Sequence, residues 1–82
     1  MNVQDQLKEF VTSEFMYEQD SKSLSPDLDL LNQGIIDSMG ILDLVSYMEK
    51  TFNIQVTDEE ITPNNFRNLK ALTQFVQAKV QN

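Results

Sequence analysis

Ser38 stands where a reactive group would. In "GIIDSMGILDLV", residues 34–45, it follows an acid, Asp37, at the point where a loop gives way to an apolar pattern of helical period. A serine hydroxyl becomes a nucleophile only with a base beside it. The chain has no histidine and no cysteine, so the usual base is missing. Thiolate chemistry, disulfides and zinc–thiolate sites are excluded with them. "DSMG" is half of a G-x-S-x-G elbow, but Ile36 occupies the place of the leading glycine. Lys50 lies a dozen residues along the same predicted helix. At about 1.5 Å rise per residue it is out of reach. No catalytic residue and no metal ligand is therefore predicted, and the chain is read as a non-enzyme.

Two other roles for Ser38 remain open. It is a good helix N-cap, but Asp37 is an equally good one. If Asp37 caps, Ser38 falls at the first helical position, N1, with its hydroxyl free to face solvent. It can then be a substrate. A phosphate attached there sits at the positive end of the helix dipole, near unpaired N–H groups. A serine modified by another enzyme needs no base of its own.

Helices must position this serine. Val3, Leu7, Phe10, Val11 and Phe15 recur at helical spacing, which predicts a helix from about Val3 to Tyr17. "EQDSKSLSPDLDLLNQG" then reads as a long loop, pinned to the core through Leu24, Leu28, Leu30 and Leu31. A second helix starts at Asp37 or Ser38 and ends near Thr51, with Ile41, Leu44, Val45, Met48 and Phe52 facing inward. "ITPNNF" predicts a short helical turn with Thr62 as N-cap, Pro63 at N1 and Phe66 in the core. Asn68 caps the last helix, whose stripe is Leu69, Leu72, Phe75, Val76 and Val80, and Lys79 suits the dipole near its C-terminus. The fold class is all-α: a small four-helix bundle with three main helices, a short third helix and a long first loop. Residues 1–82 are read as one domain.

Thirteen acids against six bases give a net charge of −7. Such a surface repels phosphate backbones and anionic membranes, so neither nucleic acid nor membrane is an expected partner. Basic protein patches are its complement. All thirteen acids lie in residues 1–60, whereas residues 61–82 hold Arg67, Lys70 and Lys79 and no acid. "MNVQDQLKEF" lacks the apolar core of a signal peptide, and no run is long enough to span a membrane, so a cytoplasmic monomer is expected.

"DLLNQGIIDSMGILDLVSYMEKTFNI" resembles the signature of acyl carrier proteins and their peptidyl and D-alanyl carrier relatives. Leu31, Gly34, Ile36, Asp37, Ser38 and Met39 stand where that family's pattern wants them, and "NNFRNLKALTQFV" is similar to its third-helix and fourth-helix region. The resemblance covers the whole chain and implies that Ser38 carries 4′-phosphopantetheine, taken from coenzyme A, with Asp37 beside it. It also implies the family's four-helix carrier fold. Met39 replaces the commoner leucine, a feature similar to D-alanyl carriers and some stand-alone carriers. No Gly-Gly-His-Ser type of motif, common in peptidyl carriers, is present. These features tilt toward an acyl-type carrier and leave an aminoacyl cargo open.

The function so implied is a stand-alone carrier. It would hold an acyl group as a thioester and present it to enzymes of fatty-acid, polyketide or lipopeptide-type biosynthesis. An aminoacyl or peptidyl carrier, including the D-alanyl type, is the alternative. An acidic helical adaptor that is never modified is a further one. The implied partners are a phosphopantetheinyl transferase, an acyl or aminoacyl ligase or adenylation enzyme, and synthases or acyltransferases with basic docking patches. Met39, Leu42, Asp43 and Ser46 share a second face of the second helix, off the core stripe. Met39 and Leu42 either tuck under the long loop or form a docking face beside the serine. Methionine suits a surface that repacks against several partners. Asp43 and Glu49 would meet basic residues there. The run Asp58, Glu59 and Glu60 reads as a solvated face that a carrier would also offer to partners.

Overall fold

The computed structural model describes residues 2–15 and 25–80. Within them the protein is all-helical, with no strand. Helix α1 spans Val3–Phe15, α2 Ser38–Phe52, α3 Pro63–Phe66 and α4 Leu69–Val80, and a 3₁₀ turn covers Asp58–Glu60. The expected end of the first helix at Tyr17, and Leu24 of the first loop, lie outside the described residues.

Each helix begins on a short polar side chain. Asn2 Oδ1 accepts the N–H of Asp5 at 2.8 Å before α1. Thr62 Oγ1 accepts the N–H of Asn65 at 3.3 Å, with Pro63 at N1 of α3. Asn68 Oδ1 accepts the N–H of Ala71 at 2.8 Å at the start of α4. Such caps satisfy N–H groups that the helix leaves without partners, worth about 1 kcal/mol each. Helix α2 runs one residue past the expected Thr51. It stops at Asn53, whose φ of 57° and ψ of 49° are the left-handed values that asparagine tolerates at a helix end.

Leu7 and Val11 of α1, Leu44, Val45 and Met48 of α2, Phe66 of α3, and Leu69, Leu72 and Val76 of α4 form the buried core. Phe10, Phe15, Ile41, Phe52 and Phe75 pack against its edge, half-buried. Truncating Leu44 or Leu72 to alanine should cost about 2–5 kcal/mol through lost transfer energy and the cavity left behind. Two positions depart from the expected α4 stripe. Val80 is 55% exposed, because the helix ends beyond the core, and Thr73 is buried.

The first loop is pinned as its leucines predict. Leu30 is fully buried, and its N–H donates to the Arg67 carbonyl at 2.7 Å. The Lys70 N–H donates to the Pro26 carbonyl at 3.1 Å. The Leu30 carbonyl accepts from the N–H groups of both Ile35 and Ile36 and folds the chain back, with Gly34 in the left-handed region at φ 72°. Ile36 then enters the core and delivers Asp37 and Ser38 to the end of the bundle.

Two of the charged residues after α2, Glu60 and Lys79, are less solvated than their sequence suggests. Lys79 Nζ lies 2.6 Å from Glu60 Oε1 and 5.7 Å from the Phe75 ring centroid. The same Glu60 oxygen accepts from the Thr57 N–H at 3.0 Å and from its hydroxyl at 3.1 Å. Lys79 therefore ties the end of α4 to the 3₁₀ turn, a tighter engagement than a dipole contact. Asp58 and Glu59 remain exposed, as read from the sequence.

Candidate functional site

The site is built on the first turn of α2. Asp37 is the N-cap, with extended φ −106° and ψ −171°, and its Oδ1 accepts the N–H of Gly40 at 2.8 Å. Its carbonyl accepts the N–H of Ile41 at 2.9 Å. Ser38 is consequently N1, the first residue of the helix, and it is exposed. The N–H groups of Ser38 and Met39 belong to the first turn, where the helix provides no acceptor. The position combines an exposed hydroxyl with donors and the positive end of the dipole.

Gly40 holds this turn close to α1. A Cβ built on it would meet a ring carbon of Phe15 at 2.9 Å and Ile36 Cγ2 at 3.1 Å. That contact is tighter than real Cβ atoms make, so any larger residue here requires the Phe15 ring or the turn to shift. The sequence reading assigned Gly40 no role. Its signal was available, since a glycine inside a helical pattern often marks a close approach.

Of the residues expected on a docking face, Met39 is 71% exposed and Leu42 55%. Two large apolar side chains thus stand exposed within the first five residues of α2. Asp43 and Ser46 are also exposed on the same face. Glu49 differs. It is half-buried, and its Oε2 accepts the N–H of Val56 at 3.0 Å. It holds the extended segment after α2, in which Ile54 and Val56 point inward, so its carboxylate is already engaged. Glu49 follows Ser46 by three residues on the same side of α2, and what separates it from Met39, Leu42, Asp43 and Ser46 is its engaged carboxylate.

Among the described residues, no group of three or more His, Cys, Asp or Glu side chains is arranged to hold a metal. None of the described helices is long and apolar enough to cross a membrane.

Comparison with known proteins places most of the chain in one family. Residues 5–76 match the family described as "Phosphopantetheine attachment site". An aminoacyl carrier protein of Bradyrhizobium diazoefficiens is 32% identical over 76 residues, covering 93% of this chain and 84% of that protein. A D-alanyl carrier protein of Streptococcus pyogenes is 33% identical over 51 residues, 62% of this chain and 65% of that one. A holo acyl carrier protein of Nitrosomonas europaea, solved in solution by NMR, superposes over all of both chains with a TM-score of 0.83 at 23% identity. That last likeness establishes the four-helix architecture.

Proposed function

Since the chain belongs to the phosphopantetheine-attachment family of carrier proteins, we propose that Ser38 is its attachment point and that it carries an aminoacyl or related acyl group. One observation supports the site above all others. Asp37 takes over the cap of α2 and leaves Ser38 exposed at N1.

The residues present fit the group. Asp37 orients the first turn through the Gly40 N–H. The Ser38 hydroxyl faces solvent, where a transferase can reach it, and the transferase supplies the base that this histidine-free chain lacks. The first-turn N–H groups of Ser38 and Met39 and the dipole stabilise a phosphodiester at that oxygen. When attached, phosphopantetheine supplies a thiol, and with it a thioester, to a protein with no cysteine. The protein contributes no chemistry of its own to the cargo. It presents it, in the cytoplasm, to enzymes that dock by charge and through Met39 and Leu42.

The cargo class is supported by the similarity to aminoacyl and D-alanyl carriers. The fatty-acid, polyketide and lipopeptide reading is the second choice. A panel decides between them. The holo protein is offered, with candidate ligases, to amino acids and to fatty and malonyl-type acids, and the product is read by intact mass. Loading by amino acids alone supports the aminoacyl reading; loading by fatty acids alone reverses it.

A further inference from the structure

Of the three bases in residues 61–82, Lys79 is taken up by Glu60. Arg67, directly after α3, is exposed, and its Nη2 donates to Asn64 Oδ1 at 3.0 Å. It lines a groove of about 550 Å³ together with Asp29, Leu31 and Asn32 of the first loop and Pro63 of α3. Asp29 is half-buried there. Its Oδ1 accepts the Asn32 N–H at 3.0 Å, and its Oδ2 accepts from the Asn32 side-chain amide at 2.7 Å. A carboxylate oxygen has two lone pairs, so each keeps one for a further donor. Among the described residues the ion pair found is Lys79–Glu60, so the guanidinium and the carboxylate share the groove without closing on each other. The groove therefore offers a cationic donor, an anionic acceptor and the apolar side chains of Leu31 and Pro63.

The first loop ties this groove to Ser38. The Leu30 N–H donates to the Arg67 carbonyl at 2.7 Å, and the Leu30 carbonyl accepts the Ile36 N–H at 3.2 Å. Ser38 follows Ile36 by two residues. At no more than about 3.6 Å per residue, the Leu30 carbonyl lies within about 11 Å of the Ser38 nitrogen. Extended phosphopantetheine reaches about as far as five extended residues, about 17 Å. An arm on Ser38 is thus long enough to lay its loaded end beside Leu31.

We infer that this groove seats the loaded end of the arm, with the α-ammonium of an aminoacyl thioester on Asp29 and carbonyls of the arm on Arg67. The inference rests on the attachment at Ser38 proposed above and narrows its cargo. A propionyl thioester has the carbon skeleton and carbonyl of an alanyl one and lacks only the ammonium, so Asp29 is the residue that tells them apart. An exposed ion pair is weak by itself. The tether compensates, because a short flexible linker holds its end at an effective concentration of about millimolar.

Amide NMR spectra of isotope-labelled protein test this. A phosphopantetheinyl transferase installs the arm from alanyl-coenzyme A or from propionyl-coenzyme A. Spectra are taken at mildly acid pH, where the amine is charged. Relative to the holo protein, the alanyl form should shift the amides of Asp29, Leu31, Asn32 and Arg67 at least about twofold more than the propionyl form, and the excess should fade at high salt. Asp29→Asn keeps an oxygen for the Asn32 N–H and removes the charge, and it should bring the alanyl shifts down to the propionyl ones. Asp58→Asn makes the same charge change on an exposed acid of the 3₁₀ turn and should keep the excess. Equal shifts in the two wild-type forms overturn the inference whatever the variants do. An excess that survives Asp29→Asn, or that Asp58→Asn abolishes equally, also overturns it. Each of these leaves Ser38 as the attachment site. A wild type that gains no mass from either coenzyme A derivative, under conditions that modify a control carrier, overturns the premise and the inference together.

Discussion

The Oδ1 of Asp37 accepts the backbone N–H of Gly40 at 2.8 Å, and this bond takes the helix cap away from Ser38. Were Ser38 the cap, its hydroxyl would be occupied by a backbone N–H and turned into the helix. With the cap displaced one residue, the hydroxyl is left for a partner. Ser38→Ala should therefore keep the melting temperature within a degree or two of wild type, whereas Asp37→Ala should lose about 1 kcal/mol of stability. Thermal unfolding of the pair checks the division of labour. A large loss in Ser38→Ala and none in Asp37→Ala would reverse it.

Gly40→Ala sets two effects against each other. Alanine favours a helix by about 1 kcal/mol over glycine. Its Cβ, however, falls 2.9 Å from the Phe15 ring, which is held edge-on against Phe10 at 6.0 Å. Overpacking of this kind costs about 1–3 kcal/mol. A net destabilisation is expected, measured by denaturant titration. The Phe15→Leu/Gly40→Ala double variant should recover part of it by making room.

Glu60 links pH to stability. Its carboxyl is held below the ordinary glutamate range by the Lys79 ammonium first and then by the Thr57 N–H. A depressed carboxyl contributes stability fully above its unfolded value, about 4.3. That contribution is lost as pH falls through the lower folded value. Glu60→Gln should melt below wild type at pH 7, and the two curves should converge as pH drops below about 4. A gap that persists unchanged at acid pH would mean that the ion pair is not its source.

The proposed docking face should separate charge from contact. Asp43→Lys should slow transferase action mainly through association, and less so at high salt. Met39→Ala should slow it with a weaker salt dependence, because apolar contact is not screened. Rates of apo-protein modification at two ionic strengths distinguish them. An Asp43→Lys rate equal to wild type at low salt would exclude this face.

Net charge should also show in stability. Residues 1–60 carry thirteen acids and three bases, on a core of one small bundle. Their self-repulsion weakens the compact state. Moderate salt is expected to raise the melting temperature without a specific site. A flat response across a neutral-pH salt titration would contradict this.

Much of this architecture was legible in the residues. Helical spacing in 3–15 and 38–52, and the polar residues Asp37, Thr62 and Asn68 before apolar runs, announce elements that the fold contains. The leucines of the first loop announced its anchoring. What was not legible depends on approach in three dimensions. Gly40 against Phe15, Phe10 against Tyr47, and Lys79 against Glu60 join residues far apart in the chain, and no local spacing reveals them. Glu49 looked like a solvated acid because its partner is a backbone N–H, Val56, which composition does not show. Exposure of Met39 and Leu42 was undecided for the same reason, since it turns on where the loop runs.

The central claim is that Ser38 carries phosphopantetheine, and intact mass tests it most directly. The protein and its Ser38→Ala variant are each incubated with coenzyme A and a phosphopantetheinyl transferase active on a control carrier. Wild type should gain the mass of one phosphopantetheinyl group, mapping to the peptide that holds Ser38, and Ser38→Ala should gain nothing. No gain in wild type, a gain that persists in Ser38→Ala, or a modification that maps to Ser13 or Ser46 would contradict the account.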